Sequence, residues 1–106
     1  MKSRLDIDRL FETGRRLTGD HVTVLWEASD RFAYGVFLSG NFRPASARNR
    51  AKRLFREAIR LNRKLLGDRV RVAVIPKART EAADFKTIDA EIGRLFTLLQ
   101  SQAKKA

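Results

Sequence analysis

Ser46–Gly67, SARNRAKRLFREAIRLNRKLLG, sets Ala51, Leu54, Phe55, Ala58, Leu61 and Leu65 at three- and four-residue intervals. That spacing gathers the apolar side chains on one side of a helix and predicts an amphipathic element. Ser46 is placed to cap its start and Gly67 its end, which gives about 21 residues and roughly 30 Å of helix at ~1.5 Å per residue. The pattern then changes. Val70, Val72 and Val74 alternate with Arg69, Arg71 and Ala73 in a strand with one apolar face that ends at Pro76. Lys77–Ala83 reads as a loop, and Asp84 as the cap of a last amphipathic helix through Phe85, Ile88, Ile92, Leu95, Phe96 and Leu99; Ser101–Ala106 is expected to fray. Upstream, Pro44 and Ser46 close an extended region. His21–Glu27 and Phe32–Ser39 are rich in β-branched and aromatic residues, and the turn Ala28–Arg31 between them predicts an antiparallel pair. Ile7, Leu10 and Phe11 follow Asp6 at helical spacing and precede Gly14, which predicts a first helix over Ile7–Thr13 capped by Asp6. Gly14 and Gly19 read as turns. The expectation is an α+β fold, one mixed β-sheet layer packed with three helices, in a single domain over residues 1–106.

Charge is concentrated. The chain carries a net charge of +11, yet between Arg31 and Gly67 the cations Arg31, Arg43, Arg48, Arg50, Lys52, Arg53, Arg56, Arg60, Arg63 and Lys64 face the single acid Glu57. Surface helices ordinarily mix signs because pairs four apart support one another. Arg48 and Arg50 fall in the expected first turn, where the helix dipole disfavours cations, so helix stability does not account for them. Free N–H groups at a helix start attract phosphate, and arginine forks with the Asn49 amide add to that attraction. The segment therefore reads as a polyanion-binding element on a nearly neutral scaffold. Cysteine is absent, which removes disulfides and thiolate metal sites and suits a cytoplasmic protein. Met1–Leu10 lacks the apolar stretch of a secretory signal, and the mature chain is expected to begin here.

Arg48-Asn49-Arg50-Ala51-Lys52-Arg53-Leu54-Phe55-Arg56-Glu57 resembles the signature R-N-R-x-K-R-x-x-R-E of the bacterial ribonuclease P protein at every specified position. The resemblance extends to the order of elements, including Leu10, Phe11 and Gly14 before the first strand. It implies the order α-β-β-(β)-α-β-α, with a left-handed crossover from the strand ending near Ser39, through the long helix, to the Val70 strand. It also implies two RNA surfaces. One is the arginine-rich segment, with Arg43, Arg48, Asn49, Arg50, Lys52, Arg53, Arg56 and Arg60, against the catalytic RNA of the ribonucleoprotein. The other is a cleft for the single-stranded 5′ leader of precursor tRNA, with Phe11, Thr23, Leu25 and Phe37. Asn41, Arg43 and Ala45 resemble one branch of the family, whereas Ser39-Gly40 stand where the family usually has two lysines and Pro44 replaces an arginine. Ile7 stands where the family often has an aromatic.

Hydrolysis of the tRNA precursor would then belong to the RNA and its Mg²⁺, with no catalytic residue or metal site on the protein. The residues agree in type. His21 is the sole histidine and reads as structural, and Asp6 with Asp8, like Asp89 with Glu91, are two apart and so fall on different sides of a helix. Phe11 is read either as a stacking surface or as core, and Phe37, which shares its strand side with Gly35 and Ser39, either as a platform or as core. The rival function is a non-enzymatic RNA-binding protein of ribosomal type, which would use the same helix without a leader cleft. A membrane-surface helix would turn to lipid the stripe that Val70–Val74 and the last helix need for a core. A DNA-reading helix-turn-helix would need a short turn where a strand intervenes. Ribonuclease P RNA and precursor tRNA are the expected partners, with neither membrane nor DNA.

Overall fold

A computed structural model describes residues 4–38, 45–77 and 84–105. The elements run α1 (Arg4–Thr13), β1 (Arg15–Thr18), β2 (Val22–Ala28), β3 (Ala33–Val36), α2 (Ala45–Asn62), a 3₁₀ turn (Arg63–Leu65), β4 (Val70–Pro76) and α3 (Phe85–Lys105). The four strands form one mixed sheet in the order β1-β2-β4-β3. β2 is antiparallel to β1 and to β4, with Leu25 opposite Arg16 and Ala73, and β3 is parallel to β4, with Gly35 opposite Ala73.

The expected pairing of the second and third strands is therefore corrected: β4 lies between them. β3 is only four residues long and joins its parallel neighbour through α2, the kind of connection that a parallel pair requires. β1, which was read only as the space between two turns, is an edge strand whose one apolar residue, Leu17, packs on the core.

Alternation along β2 and β4 sends Val22, Val24, Trp26, Val70, Val72 and Val74 to one face. There they meet Phe55, Ala58 and Ile59 of α2 and Ile88, Ile92, Leu95, Phe96 and Leu99 of α3. On the opposite face Leu10 of α1, fully buried, covers Leu25 and Ala73, with Phe37 and Ile75 at the margin. The strand at Val70 thus has two apolar faces in its middle, not one. Each of these buried large side chains contributes about 1.5–3 kcal/mol relative to exposure.

Helix boundaries shift for identifiable reasons. α2 begins at Ala45, so Ser46 lies inside the first turn instead of capping it. α1 begins at Arg4, which likewise places Asp6 within the helix. Leu61 is 44% exposed and Ile59 takes its expected place in the core. The stripe is centred on Phe55 and Ile59, and Leu61 lies about 200° around the helix from Ile59 at ~100° per residue. The last helix remains helical through Lys105 instead of fraying from Ser101. Gln100 Oε1 accepts from the Gly67 N–H at 3.1 Å and Gln102 Oε1 from Trp26 Nε1 at 3.3 Å, which ties its final turns to the sheet and the preceding loop. Gly14 ends α1 by donating its N–H to the Leu10 carbonyl at 2.9 Å. A Cβ there would strike that carbonyl and would lie 2.7 Å from Leu10 Cδ1.

Candidate nucleic-acid interface

α2 presents Asn49, Arg50, Arg53, Arg56 and Arg60 as exposed side chains, with Lys64 continuing the row in the 3₁₀ turn; Arg48 and Lys52 are partly buried. Positions 49, 53, 56, 60 and 64 advance by three or four and so form one face, opposite Ala51, Phe55 and Ala58. Because the helix starts at Ala45, Arg48 is in the first turn and Arg50 in the second. Among the described residues neither Arg53 nor Arg56 makes an ion pair. Glu57 is bound by Arg60, whose Nε donates to Oε2 at 3.0 Å. That hydrogen bond holds the Glu57 carboxyl below the ordinary carboxylate range and raises Arg60 in return. Arg43 lies outside the described residues, as do Ser39, Gly40, Asn41, Pro44 and the 78–83 part of the later loop.

Arg63 serves a different purpose. Its guanidinium donates to the carbonyls of Leu66 and Gly67 at 3.1 and 3.4 Å and to Asp68 at 2.7 Å, and it stacks on the Phe32 ring at 3.7 Å. These contacts close the end of α2 onto the strand layer, so this cation is a structural latch within the basic row.

Across the sheet, α1 and β3 form the second surface. Phe11 is 43% exposed and meets Phe37 edge to face, with ring centroids 5.9 Å apart. Phe37 lies over Gly35, where a Cβ would come within 2.7 Å of the ring, so glycine is what lets the aromatic seat on the sheet. Phe37 is half-buried: one side adjoins Leu10, Leu25 and Ala73, and its ring meets the half-exposed Phe11. Thr23, opposite Thr18 and Ile75, is partly exposed on the same face. Leu25 is sealed at 1% exposure and forms the floor beneath α1 rather than accessible surface.

Sequence reasoning missed the polar end of this face. Glu27 sits between Arg9 and Arg71, at 3.8 and 3.7 Å, with its side chain 13% exposed. The period-two series Thr23, Leu25, Glu27 and Arg71, Ala73, Ile75 was the available signal. His21, immediately before β2, is tied to α3: its N–H donates to Glu91 Oε2 at 2.8 Å and Nδ1 lies 3.1 Å from Oε1. Among the described residues no three His, Asp or Glu side chains gather in a metal-binding group, and no helix is long and apolar enough to cross a membrane.

A cationic helix face and an open aromatic pair on one small α+β scaffold define a protein of the nucleic-acid-binding class. The family model for Ribonuclease P matches residues 1–100, and the chain belongs to that family, the protein subunits of a tRNA-processing endoribonuclease. It is 26% identical over 102 residues to the ribonuclease P protein component of Fusobacterium nucleatum, covering 91% of this chain and 92% of that one. With the ribonuclease P protein component of Coxiella burnetii it shares 28% identity over 109 residues, covering all of this chain and 89% of that one. The fold is similar to that of the RNase P protein from Thermotoga maritima, with a TM-score of 0.83 at 24% identity over 92% of this chain and 94% of that one. The Staphylococcus aureus RNase P protein gives 0.82 at 18% identity over 94% of each. Family membership makes the chain an RNA-binding component of a ribonucleoprotein, associated with ribonuclease P RNA.

Proposed function

We propose that this chain binds the catalytic RNA of ribonuclease P through the cationic face of α2 and the 5′ leader of precursor tRNA through the cleft beside α1. By doing so it assists endonucleolytic maturation of the tRNA 5′ end. The observation that carries the reading is the open Phe11–Phe37 pair on one face of the sheet with a one-sided basic helix packed on the other. A ribosomal-type binder would use the helix alone; an exposed aromatic pair offers single-stranded bases a stacking surface worth about 1–3 kcal/mol per base.

In this mechanism the arginines of α2 neutralise phosphates where two RNAs approach one another, releasing counterions and lowering their mutual repulsion. Leader contacts add affinity only for the precursor, so the protein discriminates precursor from mature tRNA. Hydrolysis is assigned to the RNA, with Mg²⁺ held there supplying metal-assisted phosphoryl chemistry. The cytoplasm, where tRNA precursors are made, is the assigned compartment. The test is equilibrium binding of precursor and mature tRNA to the RNA with and without the protein. Selective tightening of the precursor, lost on Phe11→Ala, is expected; equal tightening of both tRNAs contradicts the leader assignment.

A further inference from the structure

Glu57 is the one acid of α2, and besides pairing with Arg60 it lines a surface depression. Arg50, Arg53, Leu54, Glu57 and Phe85 line an open depression of about 300 Å³ between α2 and the start of α3. That is the small end of ligand-site volumes. Leu54 and Phe85 are both partly buried and give it an apolar wall, with Phe85 resting on the main core. Arg50 and Arg53 are exposed at its rim, where phosphates would lie.

Resting on the RNA-binding reading above, we infer that this depression is a subsite for one unpaired guanine base of a bound RNA, with Glu57 as the group that selects it. The Watson–Crick edge of guanine offers two adjacent donors, N1–H and the 2-amino group, which match a carboxylate. Adenine instead turns its N1 lone pair towards the carboxylate, and uracil a carbonyl. An ionised carboxylate has about four acceptor positions, and the two hydrogen bonds from Arg60 leave others open. The Glu57–Arg60 pair is itself exposed, at 46% and 68% of the two side chains, so rearrangement around an incoming base costs little. Arg60 also keeps Glu57 in its charged, accepting form. Leu54 and Phe85 would contact the base, while Arg50 and Arg53 hold its flanking phosphates.

The test uses the full chain and the pentaribonucleotides UUGUU, UUAUU and UUIUU, the last with inosine, which lacks the 2-amino group. Fluorescence anisotropy gives affinities, and the Leu54 methyl and Phe85 ring NMR signals give location. UUGUU is expected to bind at least about fivefold tighter than UUAUU, the lower end of what a good two-donor base contact discriminates, with UUIUU between them and the Leu54 and Phe85 signals shifting. Glu57→Gln removes a negative charge and so tightens every RNA, which makes the G-to-A ratio the decisive readout; it should fall towards one. Equal binding of the three oligomers, a ratio that survives Glu57→Gln, or shifts confined to other residues overturns the subsite. If ribonuclease P RNA still binds with its salt dependence intact, only the subsite falls; if that RNA also fails to bind, the underlying reading falls with it.

Discussion

Replacing Arg50, Arg53 and Arg56 together with glutamine removes three exposed cations from α2 and leaves its buried side, Ala51, Phe55, Ala58 and Ile59, untouched. Glutamine is nearly as good a helix former as arginine, so the fold should persist. If each arginine neutralises one phosphate, each contributes about 0.7–0.9 to the slope of log K against log salt. Losing three flattens the slope by about 2–3. Between 50 and 200 mM salt the variant's affinity for ribonuclease P RNA should therefore fall by a factor about 20–40 smaller than the parent's. At low salt the variant should be the weaker binder, and at high salt the two should converge. Filter binding or anisotropy across a salt series measures this, with circular dichroism as the fold control. An unchanged slope in a folded variant refutes the assignment of α2 as the phosphate-contacting face.

Three further perturbations separate the scaffold from the site. Gly35→Ala sets a Cβ against the Phe37 ring and displaces it from its seat. Precursor-over-mature tRNA discrimination should drop while binding of ribonuclease P RNA does not, and undiminished discrimination would detach Phe37 from the proposed leader cleft. Arg63→Ala removes the Leu66, Gly67 and Asp68 hydrogen bonds and the Phe32 stack; a loss of about 1–3 kcal/mol in urea unfolding is expected with an unchanged salt slope. A flattened slope instead would make Arg63 a phosphate contact. Asp84 accepts from the Thr87 N–H at 2.9 Å at the start of α3, and its hydrogen bonds to Thr87 hold its carboxyl below the ordinary value. Its contribution is therefore complete above the unfolded-state value and is lost as pH falls through the lower folded one. Asp84→Asn, which still caps, should show a smaller drop in unfolding midpoint below about pH 4 than the parent; identical acid curves would contradict this.

The elements with strong local periodicity could be read directly from the chain. α2, β4 and α3 each repeat apolar residues at the period of their own geometry, which placed most of their core, although Ile59 replaces Leu61 in α2 and Ala73 gives β4 a second buried face. β1 could not be read so, because Arg15–Thr18 holds a single apolar residue and becomes a strand only by pairing with Trp26 to Thr23. The insertion of β4 between β2 and β3 was equally illegible: pairing is decided by partners 38 to 54 residues away in the chain, and a turn between two strands suits neighbours and non-neighbours alike. At the site, the exposed cations of α2 were legible from composition and phase. Arg63 was not, because in sequence it looks like the rest of the row, and only Phe32 and the Leu66–Asp68 turn distinguish it. Leu25 and Phe37 shared one face as alternation requires, but which of them would be roofed depended on where Leu10 descends.

The proposed role is tested most directly by cleavage of a precursor tRNA carrying a 5′ leader, at limiting Mg²⁺, by a bacterial ribonuclease P RNA with and without this protein. Faster cleavage at the mature 5′ end when the folded protein is present is the predicted result. An unchanged rate, with the RNA from the same source and the protein bound to it, would contradict the proposed role.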